Sequence, residues 1–150
     1  LGKYDYSYDI LVFPHQLGSV LELTKKFPNQ KFVIDHIGKP YIFDNFFYGW
    51  ATLIKEIGKQ ENVYCKLSGM ITEADHKNWK KEQIEPYMDL VMESFGPKKL
   101  MFGSDWPVCL VAGNYSEVKK LVTDFISSHS LNEQNSIMYE NAINFYNLKI

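Results

Sequence analysis

Short apolar runs alternate along the chain with longer segments in which apolar residues recur at the spacing of a helix. The apolar runs predict four strands, which lie within residues 10–13, 31–37, 62–69 and 100–105. Continuous apolar runs of this kind are typical of strands that are buried on both faces of a parallel sheet. The periodic segments predict helices over residues 17–27, 44–59, 82–95 and 114–128, and a last helix that begins near residue 130.

Two of these helices carry start signals. Asn114 with Glu117, and Ser130 with Glu133, have the spacing of a capping box. The resulting order of elements is β-α-β-α-β-α-β-α-α, which predicts an α/β fold with a parallel sheet and right-handed crossovers. No internal repeat, linker or low-complexity run divides the 150 residues, so we expect a single domain.

Composition narrows the classes of function. The formal net charge is −2, which creates no field that would favour nucleic acid or an anionic membrane as a partner. All 16 basic residues are lysines, so the sequence lacks the guanidinium fork that often binds carboxylates or phosphates. Cys65 and Cys109 are too few for a disulfide framework, and no apolar run is long enough to span a membrane. We therefore expect a reduced, cytoplasmic protein.

Polar groups follow every predicted strand at its carboxyl end. They are His15, His36, Lys66 with Ser68, and Asp105. Each one alone has an ordinary explanation: a histidine after a proline is commonly a surface residue, and an aspartate before Trp-Pro can simply end a turn. The carboxyl ends of parallel strands meet at one rim, however, and this is where α/β proteins build their active sites. The set therefore favours a functional site at that rim.

These residue types allow two chemistries. Two imidazoles and a carboxylate can hold a divalent metal such as zinc. The Asp105 carboxylate can instead remove a proton from a water molecule that attacks a carbonyl, while Lys66 and Ser68 orient substrate oxygens. The four histidines include no close His-x-His pair, which counts against the metal. Glycine-rich nucleotide motifs and a Gly-x-Ser-x-Gly elbow are absent from the sequence.

Three segments together resemble one known family. They are FVIDHIGKP at residues 32–40, CKLSG at residues 65–69 and MFGSDWPV at residues 101–108. Over essentially all of its length, the sequence is similar to the amidohydrolase-related sugar lactonases of the fuconolactonase and rhamnonolactonase type. The resemblance implies a (β/α)8 TIM barrel with its site at the carboxyl rim. Because a whole barrel takes about 250 residues, residues 1–150 are expected to supply its last four β/α units, the carboxyl-terminal half.

The resemblance also implies roles for individual residues. Asp105 matches the acidic residue after the eighth strand, which acts as general base and in some members as a metal ligand. His36 matches the sixth-strand histidine, a catalytic residue and metal ligand, and His15 follows the fifth strand as a further candidate ligand. The candidate substrate contacts are Lys66, Ser68 and Trp106. The first-strand His-x-His pair and the fourth-strand Lys or Glu of the superfamily have no counterpart in this chain.

The function expected of the intact protein is hydrolysis of a small sugar lactone, with Asp105 as general base. Zinc is the expected metal if one is bound, and since some relatives of this type work without a metal, metal-free catalysis stays open. The absence of arginine favours a neutral polyhydroxy lactone over a dicarboxylate. The alternative function is a catalytically inert half-barrel or open-sheet binding module. Such a module would associate with itself, as a homo-oligomer, or with another chain through its open strand edges.

Overall fold

The computed structural model describes residues 1–4 and 6–149. Its centre is one four-stranded sheet with strands β1 (Tyr8–Ile10), β2 (Phe32–Ile34), β3 (Val63–Leu67) and β4 (Leu100–Phe102). The strands lie side by side in the order of the sequence, and every neighbouring pair is parallel. The predicted parallel sheet is confirmed, and its sequential strand order is that of a barrel wall.

Helices follow each strand. They are α1 (Leu17–Lys26), α2 (Tyr48–Gly58), α3 (Lys81–Phe95) and α4 (Tyr115–Phe125), and then a last helical segment made of α5 (Leu131–Asn135), a π-helical turn (Ser136–Glu140) and α6 (Asn141–Tyr146). Both predicted capping boxes are present at the starts of α4 and α5. In the part of the chain that the structure describes, no helix combines the length and apolar character needed to cross a membrane.

Two predicted boundaries were wrong. The first strand was predicted over residues 10–13 but pairs over Tyr8–Ile10, and Leu11, the next residue of the apolar run, is 61% exposed. The second helix was predicted from residue 44 but begins at Tyr48. Asn45 has a φ of 54°, and a residue in this left-handed conformation cannot continue a right-handed helix.

The two faces of the sheet have different neighbours. On one face, alternate strand residues such as Phe32, Ile34 and Cys65 join the main hydrophobic core with the helices. On the other face, which would line the interior of a barrel, a smaller cluster forms between strand residues and α6. Its members are Val33, Met101 and Phe145, with Tyr64, Ala142 and Tyr146 packed against them.

The last helical segment passes the amino end of β4. Ile137 belongs to the main core, whereas Phe145 lies in the smaller cluster on the opposite face. Between them, the Asn141 side-chain amide donates hydrogen bonds to the carbonyls of Pro97, at 2.8 Å, and Leu100, at 2.6 Å. The segment therefore covers the amino end of the sheet and leaves the carboxyl rim open for a site.

We expect Asn141→Ala to destabilise the fold more than Asn144→Ala, which removes the other side-chain amide of α6. The substitution removes the amide donor from the buried Leu100 carbonyl and the partly buried Pro97 carbonyl, which costs about 1–3 kcal/mol. The measurement is the thermal unfolding midpoint of the intact protein. Asn144→Ala, an exposed position on the same helix, is the control. Equal midpoints for the two variants would contradict the role given to the Asn141 amide.

Candidate active site

A turn of left-handed backbone directly follows β2 and carries His36. The φ angles of His36, Ile37, Gly38 and Lys39 are 52°, 48°, 73° and 46°. Such a conformation costs of order 1–3 kcal/mol for each residue other than glycine, so the surrounding structure must hold it. The Trp50 indole donates a 2.8 Å hydrogen bond to the Ile37 carbonyl, and the Lys39 amide donates to the His36 carbonyl at 2.8 Å. The buried Trp50 thus fixes the turn that carries the histidine.

Asp105 lies beyond the end of β4 and also has left-handed backbone, with a φ of 56°. Its main-chain carbonyl accepts a 2.8 Å hydrogen bond from the Cys109 amide, and its side chain is only 9% exposed. Cys109 itself is buried. Burial, together with the nearby Asp105 carboxylate, raises the pKa of the Cys109 thiol, so this cysteine has little thiolate character and is a poor nucleophile.

The imidazole of His36 lies between a hydroxyl and a carboxylate. Its Nδ1 is 2.9 Å from Ser68 Oγ, and its Nε2 is 3.6 Å from Asp105 Oδ1. The His36 side chain is 20% exposed, so the group is largely protected from water but can still be reached. The structure therefore brings together three of the candidate site residues from three different strand ends.

Thr72 is a member of this cluster that the sequence did not indicate. Its hydroxyl is 2.7 Å from the Gly69 carbonyl and 3.4 Å from Asp105 Oδ2. Because a hydroxyl has one proton, the shorter contact to Gly69 is the main hydrogen bond and Asp105 receives a weaker share. The signal for this residue was the long polar connection after β3, since such loops at strand ends often carry function.

Gly69 provides the space that the imidazole occupies. A Cβ atom on Gly69 would lie 2.6 Å from Cβ and 2.7 Å from Cγ of His36, far inside van der Waals contact. Gly69 also has a φ of 67°, which side chains rarely tolerate. Both the conformation and the close approach therefore require glycine at this position.

Lys66, a candidate substrate contact, is held by carboxylates on the face that lines the barrel interior. Its Nζ lies 2.7 Å from Asp9 Oδ2 and 2.7 Å from Asp35 Oδ1. Burial by itself would lower the pKa of Lys66, but the hydrogen bonds with Asp35 and Asp9 outweigh burial and raise the pKa above its usual value. The ammonium is therefore charged and balanced by two partners.

The last helix reaches the same group of charges. Tyr146 Oη donates a 2.7 Å hydrogen bond to Asp9 Oδ2, and the Lys66 ammonium lies 5.8 Å from the centre of the Tyr146 ring. Burial and this bond to Asp9 raise the pKa of Tyr146 to about 12. The network of Asp9, Asp35, Lys66 and Tyr146 ties the carboxyl-terminal helix to three strands.

The two remaining candidates lie at the rim but away from this cluster. The His15 ring stacks on Phe13, with 6.1 Å between ring centres, and its Nδ1 is 3.4 Å from Tyr41 Oη. Trp106 is 64% exposed. Neither placement tests the roles predicted for these residues, which stay predictions.

The donor set that the described residues offer to a metal is incomplete. Among residues 1–4 and 6–149, no group of three or more His, Cys, Asp or Glu side chains is placed to hold a metal ion. His36 Nε2 and Asp105 Oδ1, however, are ligand types that zinc accepts. Their 3.6 Å separation is close to the roughly 3.4 Å between neighbouring ligands in a tetrahedral zinc site. The pair fits two of four positions, and the other ligands would have to come from outside this cluster.

Comparison with known proteins identifies the family. A family model described as amidohydrolase matches residues 1–148. The chain belongs to this amidohydrolase family. It is 40% identical over 133 residues to an L-fucono-1,5-lactonase of Burkholderia multivorans, a match that covers 83% of this chain and 45% of the relative. It is 30% identical over 152 residues to an L-rhamnono-gamma-lactonase of Scheffersomyces stipitis, covering 89% of this chain and 45% of the relative.

A solved structure confirms the fold. The crystal structure of an amidohydrolase from Burkholderia multivorans, which contains bound zinc, superposes with a TM-score of 0.94 at 38% identity. The match covers 98% of this chain and 54% of the solved one. This amidohydrolase chain therefore spans about half the length of the relatives it matches, and its sheet is the wall of about half a TIM barrel, as the sequence predicted.

We expect Gly69→Ala to displace the His36 ring, because the new methyl group would overlap it, and so to reduce turnover of the lactone substrate proposed below at least ten-fold. Gly96→Ala is the matched control: Gly96 has the same φ of 67°, but a Cβ there meets no atom within 4 Å. Both variants incur the conformational cost of alanine in left-handed backbone, and only Gly69→Ala disturbs the site. The measurement is kcat in the intact protein, and similar kcat values for the two variants would count against the packing role of Gly69.

The charged network predicts a loss of stability at high pH. An unfolded tyrosine ionises near pH 10, whereas Tyr146 in the fold stays protonated up to about pH 12. Between these values the folded state binds more protons, so its stability falls as the pH rises, and the raised pKa of Lys66 acts in the same direction. We expect the thermal midpoint to fall over this range, and to fall less steeply in Tyr146→Phe. Tyr139→Phe, at a 49% exposed position, should keep the wild-type slope; an unaltered slope in Tyr146→Phe would refute the assignment.

Proposed function

We propose that the intact protein hydrolyses the lactone of a sugar acid, with Asp105 as general base and His36 as the group that stabilises the oxyanion. The observation that supports this proposal is the pairing of a nearly buried carboxylate with an imidazole, 3.6 Å apart, at the carboxyl rim of a parallel sheet. Membership of the amidohydrolase family and the lactonase names of its relatives agree with hydrolysis at a carbonyl.

In the first step, a water molecule hydrogen-bonded to Asp105 attacks the lactone carbonyl carbon. Asp105 accepts one proton from this water as the new C–O bond forms. The carbonyl oxygen gains negative charge, and His36 stabilises it by donating a hydrogen bond in a site with restricted access to water. The limited exposure of both side chains strengthens these interactions because less bulk water screens them.

In the second step, the tetrahedral intermediate collapses and the bond between the carbonyl carbon and the ring oxygen breaks. Asp105 returns its proton to the departing ring oxygen, which becomes a hydroxyl group. The product is the open hydroxy acid, which ionises in water. Asp105 is regenerated as a carboxylate, so atoms and charge balance over the cycle without a further reactant.

If a divalent metal is bound, His36 and Asp105 are placed to contribute two of its ligands, and His15 stays the further candidate of this chain. Zinc in such a site polarises a carbonyl and lowers the pKa of bound water. The zinc in the related Burkholderia multivorans structure supports this possibility. The proton transfers by Asp105 are required of the protein with or without the ion.

The rim next to the proposed base suits a neutral, hydroxyl-rich substrate. Thr72, which contacts Asp105, also lines a cleft of about 360 Å³. Aromatic rings and carboxylates share this cleft; its members include Tyr41, Phe43, Asp44, Glu73 and Asp75. Carboxylates accept hydrogen bonds from hydroxyl groups but repel an anionic substrate. Glu73 is already ion-paired with Lys39, so the repulsion comes from Asp44 and Asp75. We therefore propose a neutral sugar lactone, with L-fucono-1,5-lactone as the first to test.

Residues outside this chain are also needed for the proposed activity. In the described part of the chain, β1 and β4 each pair with one strand only, so the barrel wall is open on both sides. A substrate on this half alone would be exposed to water on the side of the missing wall. The half-barrel by itself is accordingly proposed to be inert, and the proposed reaction has to be tested on the intact protein.

We expect Asp105→Asn to lower kcat roughly 10²- to 10⁴-fold, the usual loss on removing a general base, because the amide cannot accept the proton from water. His36→Ala should reduce kcat as well, since the oxyanion loses its donor. Lactone opening releases acid, so the rate can be followed with a pH indicator.

Asp124→Asn is the control for the change of a carboxylate to an amide. Asp124 lies on α4 with its side chain 57% exposed, and it pairs only with Lys120 in the described structure. Its kcat should equal that of the wild type. Unchanged lactone turnover in Asp105→Asn would rule out the proposed base.

A further inference from the structure

The hydroxyl of Ser68 lies behind the imidazole of His36, one residue beyond β3. Ser68 is only 1% exposed, and its Oγ is 2.9 Å from His36 Nδ1. The residue was predicted from sequence as a substrate contact. In the structure it faces the imidazole from the interior, on the side opposite the ring nitrogen that approaches Asp105.

The position of Ser68 is constrained by its surroundings. A Cβ atom on Gly103, at the end of the neighbouring strand, would lie 2.9 Å from Ser68 Cβ and 3.3 Å from its Oγ. Gly69, the residue after Ser68, packs directly against His36. The hydroxyl and the ring are therefore held against one another with little room for a different arrangement.

One proton on the serine oxygen limits how this pair can bond. If Ser68 donates to Nδ1, the imidazole proton is on Nε2, the nitrogen that lies 3.6 Å from Asp105 Oδ1, and the carboxylate charge attracts it. If Nδ1–H donates to Ser68 instead, the serine proton needs a further acceptor. The hydrogen bonds of the described residues include none from Ser68 Oγ other than that to His36. The Nε2 lone pair would then also face the carboxylate, which is repulsive.

We propose that, in the metal-free site, Ser68 is a positioning residue that donates its hydroxyl proton to Nδ1 and holds neutral His36 in the Nε2–H tautomer. This inference rests on the proposed lactone hydrolysis for its catalytic meaning. The Nε2–H group is then the donor that stabilises the oxyanion, on the same side as Asp105, and Ser68 acts through His36 without touching the substrate.

The tautomer can be measured directly. In the metal-free intact protein at a pH where His36 is neutral, imidazole ¹⁵N spectra distinguish a protonated from an unprotonated ring nitrogen, and His36→Gln identifies the signals of His36. We expect Nε2 to carry the proton and Nδ1 to be unprotonated. A protonated Nδ1 in the wild-type protein would overturn the inference, and this result requires no Ser68 variant to fold.

Removal of the hydroxyl tests the positioning. We expect Ser68→Ala to show a mixture of both His36 tautomers and to lose about ten-fold in kcat with little change in KM, since one hydrogen bond that orients the donor is lost. Ser94→Ala is the matched control. It removes a partly buried serine hydroxyl that donates to the Leu90 carbonyl at 2.7 Å on α3, and it should alter neither the tautomer nor kcat.

The outcomes separate this inference from the proposed function. If the intact protein opens no lactone but His36 is in the Nε2–H tautomer and loses it in Ser68→Ala, the positioning stands and the proposed reaction fails. If lactones are opened and the His36 tautomer is the same in wild type and Ser68→Ala, the positioning fails and the reaction stands.

Discussion

The close approach of Gly69 to His36 is the contact on which the arrangement of the rim depends. Because position 69 has no side chain, the imidazole can lie against the backbone at the end of β3, where Nδ1 meets Ser68 and Nε2 faces Asp105. The left-handed turn that carries His36 is costly in itself and is held from below by the Trp50 indole. The contact with Gly69 and the hydrogen bond from Trp50 together define the orientation of His36.

The charges beneath the rim form a separate layer. Lys66 lies on the interior-facing side of β3, but its ammonium is balanced by Asp9 and Asp35, and Tyr146 anchors the last helix to Asp9. The Lys66 ammonium has three N–H donors. Its ion pairs with Asp9 and Asp35 engage two of them, and its role as a substrate contact stays a prediction. The network stabilises the floor of the half-barrel, while the uncharged Ser68 and Thr72 hydroxyls contact the proposed catalytic pair.

Local patterns predicted the elements of this fold well and their long-range contacts poorly. The apolar runs located the strands, and the capping boxes at Asn114 and Ser130 located two helix starts. The first strand was misplaced because the apolar run continues into Leu11, which is exposed, and periodicity cannot distinguish a buried from an exposed apolar residue. The bond between Tyr146 and Asp9 joins residues 137 positions apart, so no local signal indicates it. Thr72 was not predicted because hydroxyl side chains are common in polar loops.

The two halves of the proposed barrel would contribute different parts of the site, because only some of its contacts are complete in this chain. The contacts of His36 with Ser68 and Asp105, and of Thr72 with Asp105, are all made between residues of this chain, so the geometry of the proposed proton transfer is set by this half. The metal donors are incomplete among the described residues, and the sheet is open beside β1 and β4. We propose that the residues that complete the barrel exclude water and supply any further metal ligands. The proposed base Asp105 is already oriented and nearly buried in this half. A second wall that kept water from the substrate would lower the local dielectric and strengthen its electrostatic effect, which is a physical reason for keeping both halves in one barrel.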